Sequence, residues 1–171
     1  MAPFEIVLNG HLPASPGRVW ALLVDHAAVP CWLEGVSAVV SGGDEFLVLA
    51  GGAADQAWVL GEVIEVEPRR RLVIRLDDPA ANLCEVRVGW SIVPDEAGTR
   101  FELRVTGVPG VFGTLLAPLL RLRAEVAMAR AVRGFRAALE ARGEGGRDPA
   151  DAPCPEREAR RAEMARAAAT V

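Results

Sequence analysis

The stretch from Gly113 to Arg142, GTLLAPLLRLRAEVAMARAVRGFRAALEAR, consists almost wholly of strong helix formers, with one internal glycine at Gly134. At about 1.5 Å per residue it would reach roughly 40 Å, more than the width of a small domain. Most of the sequence ahead of it alternates apolar and polar residues at period two, as strands do. Clean alternation means antiparallel strands with one wet face. The other face must be buried, and the long helix is the only element large enough to cover it. The expected class is therefore α+β. A curved antiparallel sheet of six or seven strands should wrap around a long C-terminal helix, with two short helices after the first strand. A ligand cavity is expected between sheet and helix.

The helix carries two apolar stripes. Leu115, Leu119, Leu122, Val126 and Ala129 form one, and Met128, Val132, Phe135 and Leu139 form the other. They lie well apart around the axis. A helix that packs on two different things needs such a pattern. The C-terminal half is expected to clamp onto the sheet and the N-terminal half to close a cavity mouth. Burial of the second stripe by another subunit would serve equally, which leaves a homodimer open. Pro118 lacks an N–H, so regular helix is expected to start near Ala117, after a looser turn over 111–116.

The remaining elements follow in order. Phe4 to Leu12 reads as a strand with Phe4, Ile6 and Leu8 on one face. Ser15 and Pro16 suit the N-cap and first position of a helix ending at Asp25-His26. A second short helix or turn carries Val29, Pro30, Trp32 and Leu33 and stops at Gly35. Strands are then expected at 36–40, 46–50, 58–66, 71–76, 84–92 and 101–105, separated by Gly-, Pro- and Asp-rich turns. One ligand-binding domain should span 1–142. Residues 143–171 begin with a linker-like GEGGRDPADAPCP and read as a flexible polar tail, with a short helix at 156–168 that has almost no apolar face.

Composition narrows the function. The net charge is -4, which gives no electrostatic case for nucleic acid. No apolar run approaches a membrane span, so stable membrane insertion is not expected. The N-terminus lacks signal-peptide features, and the cytoplasm is the default compartment. Cys31, Cys84 and Cys154 are an odd, widely spaced set, so neither a disulfide framework nor a metal site is expected. No cofactor is implied. Tyrosine is absent, which removes phenol-based mechanisms.

Four local motifs resemble the helix-grip superfamily, the group of START domains, birch-pollen-type allergens and polyketide cyclases. They are Ala14-Ser15-Pro16-Gly17-Arg18-Val19-Trp20, Trp32-Leu33-Glu34-Gly35-Val36, the run from Gly61 to Leu72, and Pro94 to Arg100. The chain is most similar in pattern to the bacterial polyketide cyclase/dehydrase-like proteins. The motifs mark turns and core positions, so they speak to fold. The resemblance implies an apolar small molecule, a lipid or polyketide, held between sheet and long helix.

Candidates for the lining are Trp58, Leu60, Ile74, Val86, Val88, Trp90, Phe101, Leu103, Leu119 and Val126, each of which could equally be plain core. Catalytic residues are unknown, with Glu62 and His26 as the candidates. Glu62 shares strand parity with Trp58 and Leu60, which would turn it inward and raise its pKa. A bulge at Gly61 would instead turn Glu62 to solvent and Val63 inward, and is the favoured reading. His26, after the first helix, could reach the cavity mouth, though a surface histidine at the helix end is the favoured reading. Three functions follow: a carrier or sensor of a hydrophobic ligand, a cyclase or dehydratase using a cavity acid or base, and a protein-partner or assembly module.

Overall fold

The structure, a computed structural model, describes residues 4–50, 57–77, 84–109 and 113–142. Seven strands form one antiparallel sheet: β1 (Phe4–Leu12), β2 (Val36–Gly42), β3 (Glu45–Ala50), β4 (Ala57–Glu67), β5 (Arg71–Asp77), β6 (Cys84–Asp95) and β7 (Gly98–Pro109). Their order in space is β1-β7-β6-β5-β4-β3-β2. Between β1 and β2 the chain forms α1 (Pro16–Val24), a single 3-10 turn (His26–Ala28) and α2 (Val29–Trp32). After β7 comes α3 (Gly113–Ala141). This is the helix-grip fold. The expected tail at 143–171, and part of the glycine-rich entry to α3, lie outside the described residues.

The core lies where α3 crosses β1, β7 and β6. Ile6, Leu12, Trp90, Ile92, Phe101, Leu103 and Val105 from the strands meet Met128, Ala131, Phe135 and Leu139 from α3. Phe135 is fully buried, its ring 5.1 Å from that of Trp32 in an edge-on contact and 5.3 Å from Trp90. The second of the two helix stripes is thus the one that clamps the sheet. Gly134 makes the clamp close: a Cβ there would lie 2.1 Å from the Trp32 carbonyl oxygen, so α2 and α3 touch backbone to backbone. Two cations fasten the end of α3. Arg18 Nη2 donates to the Leu139 carbonyl oxygen at 3.1 Å, satisfying a helix-terminal acceptor. Arg142 Nη2 meets Asp25 Oδ2 at 3.2 Å in a largely buried pair.

Three local expectations are corrected. Helix α3 begins at Gly113, not near Ala117, and holds Pro118 inside it. Pro118 is the sixth helical residue, so its missing N–H forfeits one hydrogen bond near an end where the first four N–H groups lack partners anyway. Ser15 has N-cap position and extended backbone, but its side chain makes no capping bond. The irregularity in β4 falls between Val63 and Glu65, not at Gly61. Gly61 is a regular inward position whose missing side chain leaves room for the Phe46 ring.

Candidate functional site

The bulge in β4 decides what faces inward. Up to Val63 the inward residues are Val59, Gly61 and Val63; past the bulge the parity switches and Val66 joins them. Leu60 and Ile64 are therefore exposed on the convex face. Glu62 is also outside, ion-paired with Arg75 of β5. A carboxylate paired on a surface cannot act on a cavity ligand, so the structure removes Glu62 from the candidate acids and bases.

The inward residues of β2 to β5 bound a cavity of about 400 Å³, enclosed on its other side by α1, the 3-10 turn and α2. Its walls are Val39, Phe46, Val48, Val59, Val63, Val66, Leu72, Ile74 and Leu76 from the sheet, with Trp90 at the boundary with the core. Leu23, Val24, Val29, Trp32 and Leu33 close the helical side. Local sequence explains the wall. Period-two Val, Leu and Ile in β5 and at the inward positions of β3 and β4 suit a pleated surface. Pro30 and the positive φ of Gly35 turn the α2 segment back toward the sheet.

Among the described residues, His26 and Asp44 are the only ionisable ones in this lining. His26 lies in the turn after α1, held there by Asp25, whose Oδ1 accepts the Ala27 N–H at 3.1 Å. Its ring lies 5.7 Å from that of Phe46. Asp44 occupies the β2–β3 turn, and its carbonyl accepts the Val63 N–H at 2.8 Å, which fixes the turn to β4. Trp32 is almost fully buried in the wall, yet its Nε1 has no hydrogen-bond acceptor among the described residues. No group of three or more potential metal ligands occurs among the described residues.

The expected lining residues divide into four groups. Ile74 and Trp90 line the cavity. Phe101 and Leu103 belong to the buried core, and Val86 and Val88 are partly buried and pack against it. Leu60, Leu119 and Val126 are exposed, Leu60 because of strand parity and the other two because they stand on the solvent side of α3. The Trp58 side chain lies outside the description; its backbone pairs with Leu49. The expected rim at 107–113 falls mostly outside the described residues.

Sequence reasoning missed Asp44, and missed the β2–β3 wall of Val39, Phe46 and Val48. The β3 run EFLVLA is apolar at successive positions, so its alternation is masked and its inward face cannot be read locally. A further hollow, between α2 and α3, is lined by Pro30, Cys31, Trp32, Glu34, Arg130, Arg133 and Gly134. It is an open groove with charged walls and offers no comparable enclosure.

Comparison with known proteins agrees with this architecture. The family model described as polyketide cyclase / dehydrase and lipid transport matches residues 4–142. Among solved structures, the Zhui aromatase/cyclase from Streptomyces sp. R1128 superposes with a TM-score of 0.69 at 14% identity, covering 85% of this chain and 100% of that one. A Rhodobacter sphaeroides protein gives 0.67 at 22% identity, over 80% and 92% of the two chains. Ara h 8.0201 gives 0.65 at 11% identity, over 81% and 99%. No curated protein matches by sequence. The chain belongs to the polyketide cyclase / dehydrase and lipid transport family of the helix-grip superfamily.

Proposed function

We propose that the chain binds an apolar small molecule, a lipid or polyketide-like compound, in the cavity between the α1–α2 segment and β2–β5, as a carrier or sensor. One observation carries the reading: about 400 Å³ of partly open space walled by aliphatic and aromatic side chains, with ionisable groups among the described residues only at His26 and Asp44. That combination of apolar wall and sparse polar groups is what a small-molecule pocket needs. The wall residues take the binding role; His26, Asp44 and Trp32 Nε1 are the groups that could orient polar atoms of the ligand. Native mass spectrometry of the purified protein should show a co-purified hydrophobic compound, or uptake of a hydrophobic fluorescent probe. A Val63→Trp variant that remains folded should lose that uptake. Undiminished uptake by the filled variant would overturn the reading.

The alternative is a cyclase or dehydratase, and His26 is the observation that favours it. It is an imidazole lining an apolar cavity, a side chain that can serve as a general acid or base. In that case His26→Gln should abolish turnover of a polyketide-type substrate while ligand binding persists. If His26→Gln leaves turnover intact, His26 is not the catalytic base.

A further inference from the structure

Three residues of the first apolar stripe of α3 face solvent. At about 100° per residue, Leu119, Leu122 and Val126 fall within roughly 60° of one another and nearly opposite the buried stripe of Met128, Ala131, Phe135 and Leu139. Their exposures are 53%, 56% and 45%. Three large aliphatic side chains in a row on an exposed helix face need a partner to account for them. The charges beside them indicate which. By the same angular placement, Arg123, Arg130 and Arg133 lie on the same face of α3. Arg130 has only a long 3.8 Å contact to Glu34, with both side chains mostly exposed. Between Gly113 and Ala141 the helix carries five arginines against Glu125 and Glu140, on a chain whose net charge is -4. The positive charge is concentrated on the element that displays the apolar stripe.

We propose that this face of α3 docks on the surface of an anionic lipid bilayer. Leu119, Leu122 and Val126 enter the boundary between headgroups and acyl chains, and Arg123, Arg130 and Arg133 meet the phosphates. A helix with an apolar stripe flanked by arginine lies in the interface plane, and its binding rises with buried apolar area and with anionic lipid. The helix does not cross the bilayer: no helix among the described residues is long and apolar enough to do so. The docking is independent of what the cavity holds, because none of these six side chains lines it.

The test is co-sedimentation of the full chain with phosphatidylcholine vesicles, with and without phosphatidylglycerol. The wild type should sediment with the anionic vesicles, not with the neutral ones, and high salt should release it. The triple variant R123Q/R130Q/R133Q should lower the affinity by on the order of a hundredfold. L119S/L122S/V126S should lower it by roughly tenfold or more, with unfolding temperature unchanged because all three residues are exposed. Absence of sedimentation, or sedimentation that neither variant weakens, overturns the proposal. So does light scattering that shows a wild-type dimer turned to monomer by the leucine variant, which would assign the stripe to a second copy of the chain.

Discussion

The concave face of the sheet has two halves with opposite fates. Under β1, β7 and β6, Phe135, Leu139 and Met128 of α3 fill the space completely, and the opposing strand residues Ile92, Phe101 and Leu103 are 2–3% exposed. Under β2 to β5, no described side chain of α3 lines the wall, and about 400 Å³ is left open. The inward side chains are aliphatic or aromatic on both halves. What differs is that described side chains of α3 pack on the first half, while the α1–α2 segment stands over the second. A cavity in this fold is therefore left where the described side chains of α3 do not pack, and the direction of the helix is set by contacts along its C-terminal half. They are the Gly134–Trp32 backbone approach and the cations Arg18 and Arg142 that fasten the end of α3 to α1.

The largest effect should come from emptying the filled half. Phe135 is fully buried and touches two indole rings, so Phe135→Ala should cost about 3–5 kcal/mol in chemical denaturation. An equivalent truncation on the open half, Val63→Ala, removes a side chain that faces space and should cost under about 1 kcal/mol. Equal costs would mean that the two halves are packed alike.

Next is the contact that aims the helix. In an ordinary helix interior, Gly→Ala stabilises by about 1 kcal/mol. Gly134→Ala should do the reverse, because the new methyl meets the Trp32 carbonyl oxygen, a backbone atom that cannot swing away. A loss of about 1–3 kcal/mol is expected, the usual cost of overpacking. Since Trp32 is also a cavity wall, probe binding should weaken with it.

A third experiment sets the two halves against each other with one substitution. Val88 packs against the buried core, so Val88→Trp should destabilise by about 1–3 kcal/mol or more. Val63→Trp places the same bulk in the cavity and should leave stability within about 1 kcal/mol while removing hydrophobic-probe uptake. Circular dichroism, denaturation midpoints and probe fluorescence on the pair of variants separate the outcomes. The reverse pattern would place the open space under α3.

Much of this was legible from residues alone, and the failures have specific causes. Strands β5, β6 and β7 alternate without interruption, so Leu72, Ile74, Trp90, Phe101 and Leu103 declared their inward face. Strand β4 did not. Its apolar residues fit one parity from Trp58 to Val66, and only the bulge between Val63 and Glu65 shows that the early part runs on the other. A bulge is an agreement between two strands about register, and one strand's sequence does not contain it. The helix stripes were visible, and the C-terminal one clamps the sheet as expected. What holds the clamp was not visible: it rests on Gly134 meeting Trp32, about a hundred positions earlier in the chain.

The smallest expected effect concerns the convex face, and it sharpens the same comparison from outside. Glu62 pairs with Arg75, and Arg75 also reaches Asp77; farther across the sheet Arg104 bridges Glu102 and Glu5. The hydrogen bond that Arg104 donates to Glu102, together with the charges of Glu102 and Glu5, raises the Arg104 pKa above its ordinary value. These side chains are well solvated, and exposed pairs of this kind contribute little individually. Glu62→Gln should therefore change stability by less than about 0.5 kcal/mol. It should leave hydrophobic-probe affinity unchanged, since the side chain lies across the sheet from the cavity. The informative control is Val63→Glu at the neighbouring position. One residue along the strand the side chain reverses face, so the same carboxylate would stand inside the cavity and should abolish uptake of an apolar probe. If Glu62→Gln alters binding and Val63→Glu does not, the register of β4 is opposite to the one described, and the cavity wall must be redrawn around Leu60 and Ile64.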